Sequence, residues 1–68
     1  MNAFKLKGKI IEKDKTQKWL AEKMGISENT MSQKINGRTA FTVPEIYEIG
    51  KLLNLTNEEK IAIFLQEN

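Results

Sequence analysis

Apolar residues recur three or four positions apart along most of this chain, and residues that favour helix ends interrupt the pattern at short intervals. Leu6 and Ile10, for example, share one helical face, although Gly8 between them costs about 1 kcal/mol relative to alanine. No stretch of the sequence alternates apolar and polar residues with the β-branched enrichment of a strand. The pattern predicts an all-α domain of five short helices, at about residues 3–13, 16–24, 27–36, 43–53 and 57–66.

Capping signals mark where these helices begin and end. Thr16 and Ser27 are suited to the N-cap position, and Gly25 between them can take the left-handed conformation that ends a helix. The last two helices open with a capping box, in which a threonine and a glutamate three residues later bond each other's free amides. These pairs are Thr42 with Glu45 and Thr56 with Glu59. In the fifth helix we expect one side to face the core, and that side carries Ile61, Phe64 and Leu65.

Composition narrows the possible functions. The 68 residues include no cysteine and no histidine, so disulfides, thiolate metal sites and the commonest general base are ruled out. A chain of this length forms one core and has no room for a deep substrate cleft. We therefore expect a single domain over residues 1–68 that is not an enzyme and holds neither metal nor cofactor. Apolar runs fall short of the ~20 residues that cross a bilayer, which predicts a cytoplasmic protein with no membrane partner.

Positive charge is concentrated in the first part of the chain. Residues 1–40 carry nine basic and four acidic side chains, whereas residues 41–68 carry two basic and five acidic ones, within a net charge of +2. Such an asymmetry suggests one surface for a polyanion and another that faces away from it. A solvated lysine-rich helix explains the same charges, so charge alone does not decide between the two interpretations.

The connection between the second and third helices is unusually short. Only Gly25 and Ile26 separate Met24, the last apolar residue of one helix, from Ser27, the cap of the next. A turn this tight makes the two helices cross steeply and leaves the third helix protruding. The sequence therefore predicts a helix-turn-helix from about Thr16 to Gly37.

The third helix carries a stripe of amide and hydroxyl side chains. At about 100° per residue, one arc of about 100° holds Asn29, Ser32, Gln33 and Asn36, while Met31 and Ile35 fall on a neighbouring arc. Amides can donate and accept together, as base edges in a DNA major groove require. A merely exposed helix is the alternative for the stripe taken alone. Together with the tight turn and the basic first part of the chain, the amide and hydroxyl stripe favours base contact by Asn29, Gln33 and Ser32.

Other polar residues are placed for the DNA backbone. Gln17 lies in the first turn of the second helix, where free amides suit a phosphate, although an ordinary first-turn residue is the alternative. Arg38 follows the third helix and is suited either to a phosphate or to the adjacent minor groove. The predicted phosphate-contacting set is completed by Asn36, Ser27 and Lys34.

The predicted helix-turn-helix resembles that of the phage Cro/repressor (XRE-type) family. The resemblance rests on Thr16-Gln17-x-x-Leu20-Ala21-x-x-Met24-Gly25-Ile26-Ser27, followed by Met31 and Asn36-Gly37. It is strongest with short Cro-like or repressor-like proteins of phages and prophages of low-GC Gram-positive bacteria. The family implies a λ-repressor-like fold and a transcriptional regulator that binds a pseudo-palindromic double-stranded DNA operator as a homodimer. By position, it implies phosphate contact for Gln17 and Asn36, and base contact for Glu28, Asn29 and Gln33.

Three positions depart from the family's pattern. Ile10 and Ile35 are apolar where the better-studied phage repressors carry a buried Arg–Glu pair, and we predict that they pack on each other. Lys34 stands where the family has an apolar residue. We therefore expect a slightly rotated third helix, which affects the contact assigned to Glu28 most.

Two apolar features suggest contact with a partner. Trp19 lies nearly opposite the stripe of Leu20 and Met24, so it either lies flat on a neighbouring helix or forms an exposed patch. The fifth helix has more apolar residues than one stripe holds, and we expect Ile63 and Phe64 to contribute to a dimer or partner interface. The alternative function is therefore an antitoxin-like, protein-binding module that acts through helix five or Trp19. The chain could also be a fragment of a longer repressor.

Overall fold

The computed structural model describes residues 1–65, which form five α-helices and contain no strand. The helices are α1 (Ala3–Glu12), α2 (Gln17–Met24), α3 (Glu28–Ile35), α4 (Val43–Leu52) and α5 (Asn57–Phe64). The predicted all-α fold with five helices is thus confirmed, with shifts of one residue at several helix ends. The end predicted at residue 66 lies outside the described residues. No helix in the described range is long and apolar enough to cross a membrane.

Side-chain caps begin every helix. The hydroxyls of Thr16 and Ser27 accept hydrogen bonds from the backbone amides three residues later, at 3.0 Å each. Both predicted capping boxes are present, at the starts of α4 and α5. Gly25 ends α2 in the left-handed region, with φ at 70°. These local signals explain why the helices begin and end where the sequence predicts.

All five helices contribute to one core, which also includes two residues from the α4–α5 connection. Its buried members are Leu6, Ile10, Leu20, Ala21, Met31, Ile35, Ile49, Leu53, Leu55 and Ile63. Ile10 from α1 and Ile35 from α3 are 2% and 0% exposed and belong to this single cluster. The first and third helices therefore each contribute a fully apolar side chain to the same core.

The face of α5 that meets the core differs from the prediction. Ile63 is 1% exposed, whereas Ile61 and Leu65 are 55% and 68% exposed. The expected core positions of Ile61 and Leu65 are therefore wrong. Ile63 is a core residue and is unavailable to a partner, which corrects the interface expected there. The cause is that residues 61–65 are apolar without interruption, so their spacing selects no face.

Two ion pairs link different helices at the edge of the core. The Lys9 ammonium on α1 bonds the carboxylate of Glu59 on α5 and, at 3.0 Å, that of Glu12. Lys34 on α3 lies 3.1 Å from the carboxylate of Glu45 on α4. The first pair links the first helix to the last, and the second links α3 to α4.

Candidate nucleic-acid interface

The turn between α2 and α3 is closed by backbone hydrogen bonds. The amide of Gly25 donates to the carbonyl of Glu22 at 3.2 Å, and that of Ile26 donates to Ala21 at 3.0 Å. Ala21 itself is buried at 1% exposure, so its small side chain lies within the packed core beside the crossing. The result is a short, closed connection that holds α3 against α2.

The surface of α3 divides into a buried side and a polar side. Met31 and Ile35 are both 0% exposed. Glu28 and Asn29 in the first turn are exposed, and Gln33 in the second turn is half-buried. The polar side chains thus lie on the part of α3 that the core leaves open.

The C-terminal end of this polar side is organised by a lysine from α1. The Asn36 amide nitrogen donates to the Ser32 hydroxyl at 3.2 Å, and the Lys7 ammonium donates to the Asn36 amide oxygen at 3.2 Å. Lys7 has further donors to offer, since an ammonium carries three. Lys7 cannot be selected from the sequence, because its partner lies 29 residues away and no spacing rule links the two.

Gln17 lies in the same region as Lys7. Both line a shallow cleft, together with Lys15 and Thr16, between α1 and the start of α2. The first amides of a helix have no partner within it, so the start of α2 favours negative charge. Two lysines and the start of a helix therefore border one surface depression.

Trp19 packs against the core and is flanked by two lysines. Its ring is half-buried on the core cluster. The ammonium of Lys15 lies 4.6 Å from the ring centroid, and that of Lys23 lies 6.0 Å from it. The tryptophan thus packs inward, in agreement with the first of its two interpretations, and it holds positive charge beside Gln17.

Lys34 differs from its predicted place at the DNA backbone. Its side chain is only 14% exposed, and its ammonium pairs with Glu45 and donates to the Ala40 carbonyl at 3.2 Å. The Thr42 backbone amide and, next, Lys34 hold the pKa of Glu45 below its ordinary value of 4.5. This contact replaces the expected phosphate contact, because the ammonium is already bonded between α3 and α4.

The remaining predicted phosphate contacts lie at the two ends of α3. Arg38 is exposed, and its backbone amide donates to Gln33 at 2.9 Å just after Gly37 takes a φ of 83°. The Ser27 hydroxyl both accepts from the Thr30 amide and donates to the Thr30 hydroxyl, at 2.9 Å. Arg38 is therefore open to a ligand, whereas the Ser27 hydroxyl is used in capping the helix.

A second surface, the α4–α5 groove, is apolar. Its exposed walls are Val43 and Tyr47 from α4 with Ile61 and Leu65 from the end of the described chain, and these side chains are between 55% and 68% exposed. Phe64 forms part of the lining and is half-buried, with its ring edge-on to Phe41 at 5.8 Å. Of the predicted partner contacts, Phe64 lines this groove and Ile63 does not.

These observations define a small five-helix protein with a polar, lysine-flanked face on α3 and a separate apolar groove. Residues 1–65 contain no cluster of acidic side chains suited to a metal ion. The chain belongs to the family described as a protein of unknown function (DUF739), whose model matches residues 2–67. No curated protein and no solved structure matches the sequence.

Proposed function

We propose that this protein is a transcriptional regulator that binds double-stranded DNA in a sequence-specific manner. In this proposal α2 and α3 form a helix-turn-helix of the Cro/repressor type, and α3 enters the major groove. The observation that carries the proposal is the polar side of α3, which lies beside the buried face of Met31 and Ile35 and follows the short connection from α2. Asn29 and Gln33 contact base edges, for which amides are suited to adenine.

Glu28 and Ser32 take lesser parts in base contact. Glu28 is exposed in the first turn of α3 and accepts a hydrogen bond where a cytosine amine is presented. Ser32 already accepts a hydrogen bond from Asn36 and is half-buried, so its contact depends on how deeply α3 enters the groove. Specificity accordingly rests mainly on Asn29 and Gln33.

Two groups of side chains contact the DNA backbone in this proposal. Gln17 and Lys7 line the cleft beside the start of α2, with Asn36 bonded to Lys7. The exposed Arg38 follows the end of α3. Contacts to phosphates set the register of a protein on DNA and carry no sequence information of their own. Compared with the set expected from sequence, this proposal adds Lys7 and leaves out Lys34 and Ser27, whose hydroxyl caps α3.

A homodimer on DNA completes the proposal. Two copies place their third helices in successive major grooves, ~34 Å apart, on a pseudo-palindromic operator. The regulation proposed is repression of the Cro type, in the cytoplasm of a bacterium that carries a phage or prophage. The resemblance of Thr16 to Gly37 to that family supports this part.

Selection of bound duplexes from a random library tests the proposal. The wild-type chain is expected to enrich one repeated half-site, and Gln33→Ala is expected to lose preference at one position, with discrimination falling by about 1–3 kcal/mol. Lys51→Ala is the matched control, since Lys51 is exposed on α4 in the acidic part of the chain. Enrichment of no sequence by the wild type would overturn the proposal.

The alternative is an antitoxin-like module that binds another protein. The observation in its favour is the α4–α5 groove, which exposes Tyr47, Ile61 and Leu65. A salt titration separates the two functions. Affinity for DNA falls steeply with salt because counterions are released, whereas an apolar protein contact responds little.

A further inference from the structure

The exposed side of α1 carries an apolar stripe with a glycine at its centre. Phe4 and Ile11 are 87% and 73% exposed, and Gly8 lies between them on the same helical face. The stripe points roughly 150° away from Leu6 and Ile10, which face the core. Two large apolar side chains aligned on one helix are more than the scattered exposure that is normal for a protein surface.

Nothing inside the described chain explains the glycine at position 8. A Cβ added there would meet no heavy atom of the described residues within 4 Å, and Gly8 has no positive φ. Glycine in the middle of a helix lowers its stability relative to alanine. What a glycine does allow is close approach of another backbone. The α1 stripe is therefore shaped for contact with a second helix.

The charges along one edge of the α1 stripe identify that helix. Lys5 and Glu12 are both exposed and lie at similar angles, about 80–100° from Phe4. The midpoint of Lys5 and Glu12, like that of Phe4 and Ile11, falls within about 1 Å of Gly8 along the helix axis. The apolar stripe and its Lys5–Glu12 edge are thus self-complementary about Gly8, with unlike charges and large apolar groups exchanged by a two-fold rotation. On the other edge, the Lys7 ammonium is bonded to Asn36.

We propose that two copies of this chain pair through α1, antiparallel and about a two-fold axis at Gly8. Phe4 packs on Ile11 of the partner subunit, Lys5 faces Glu12 of the partner subunit, and each contact occurs twice. A two-fold interface requires one patch to complement itself, and the α1 stripe meets that requirement. The Glu12 carboxylate also bonds Lys9, but it is 59% exposed and a carboxylate accepts several hydrogen bonds.

The α4–α5 groove is less suited to pairing two copies. It is a concave surface, with Tyr47 and Ile61 among its walls, and two concave surfaces leave a gap when they face each other. A protruding group of a different partner fits it better. Ile11 also lines the cleft beside Lys7 and Gln17, so pairing through α1 and phosphate contact in that cleft share part of one surface. The pairing does not rest on DNA binding, and the experiment below contains no DNA, so either proposal can fail alone.

Sedimentation velocity of the full chain, over a concentration series from micromolar to millimolar, measures the pairing. The wild type is expected to associate to dimers as concentration rises, and Gly8→Gln is expected to weaken dimerisation about tenfold or more by blocking the crossing. Glutamine is a better helix former than glycine, so this variant is expected to melt no lower than the wild type. Tyr47→Gln in the α4–α5 groove is the matched control and is expected to dimerise normally.

Charge reversal at the edge of the stripe tests the two-fold arrangement itself. Lys5→Glu and Glu12→Lys are each expected to dimerise about tenfold more weakly alone, because like charges then face each other twice. An equimolar mixture of the two variants is expected to recover association, since every facing pair is again unlike. A wild type that stays monomeric at millimolar concentration, loss of dimers in Tyr47→Gln but not in Gly8→Gln, or a mixture without recovery would each overturn the proposal.

Discussion

Two glycines in the first half of the chain place opposite demands on the backbone. Gly25 has a φ of 70°, a region that side chains with a Cβ enter at a cost of about 1–2 kcal/mol, whereas Gly8 lies inside α1 with open space around it. We predict that Gly25→Ala lowers the free energy of unfolding by about that amount. Gly8→Ala is expected to raise it by about 0.5–1 kcal/mol.

Urea denaturation of both variants at low protein concentration measures the two changes without interference from self-association. Because both variants replace glycine with alanine, each serves as the control for the other. Equal effects of the two alanines would contradict the left-handed conformation at Gly25.

Acid is expected to weaken the contact between α1 and α5. The hydrogen bond from Lys9, followed by that from the Thr56 amide, lowers the pKa of Glu59 from 4.5 to about 2. Because the pKa of Glu59 is lowered in the folded protein, the ionised carboxylate stabilises the fold at pH values above 4.5. This stabilisation is lost as the pH falls from 4.5 towards 2. We predict that the wild type melts at a higher temperature than Glu59→Gln at neutral pH. The two melting temperatures are expected to converge as the pH falls through this range. Melting curves at several pH values check it, and a constant difference down to pH 2 would refute it.

At the level of single elements, the positions of the helices can be predicted from local sequence. The face that each helix buries cannot always be predicted in this way. Thr42 and Thr56 allow the starts of α4 and α5 to be predicted, because a capping box is complete within four residues. The face of α5 was mispredicted because residues 61–65 are all apolar, and only packing selects Ile63. In α3, by contrast, polar residues separate Met31 from Ile35, and the buried side follows from the spacing alone.

The candidate site divides in the same way. The polar side of α3 follows from helical spacing, so Asn29 and Gln33 could be selected from the sequence. Lys7 could not, because its bond to Asn36 joins α1 to the end of α3. Lys34 was misplaced for the same reason: its partner, Glu45, is 11 residues away, beyond the loop that follows α3.

The position of Lys34 leads to a prediction about α3 and α4. Because its ammonium is bonded to Glu45 and to the Ala40 carbonyl, Lys34→Ala is expected to lower the free energy of unfolding by about 1 kcal/mol, the usual net contribution of a hydrogen bond. The salt dependence of DNA binding is expected to stay unchanged. Denaturation and binding titrations measure the two quantities, and a reduced salt slope with normal stability would return Lys34 to the phosphate-contacting set.

For the whole molecule, charge and surface divide between the two parts of the chain. Residues 1–40, which are basic on balance, include α3 and the lysines around Gln17. Residues 41–68, which are acidic on balance, supply all the residues that line the α4–α5 groove. A polyanion is attracted to the first part and repelled by the second. Binding to DNA and binding to a protein partner can therefore use different surfaces of one small chain without competing charges.

This division predicts which cations the salt dependence of DNA binding reports. Each phosphate contact contributes about one unit to the slope of the logarithm of affinity against that of salt concentration. Arg38→Ala is expected to flatten the slope by about 1 and to weaken all duplexes alike, because a phosphate contact carries no sequence preference. Lys51→Ala removes the same charge from an exposed position on α4 and is expected to leave the slope unchanged. A sequence-dependent loss in Arg38→Ala would place Arg38 in the minor groove instead, and equal slopes for both variants would remove it from the interface.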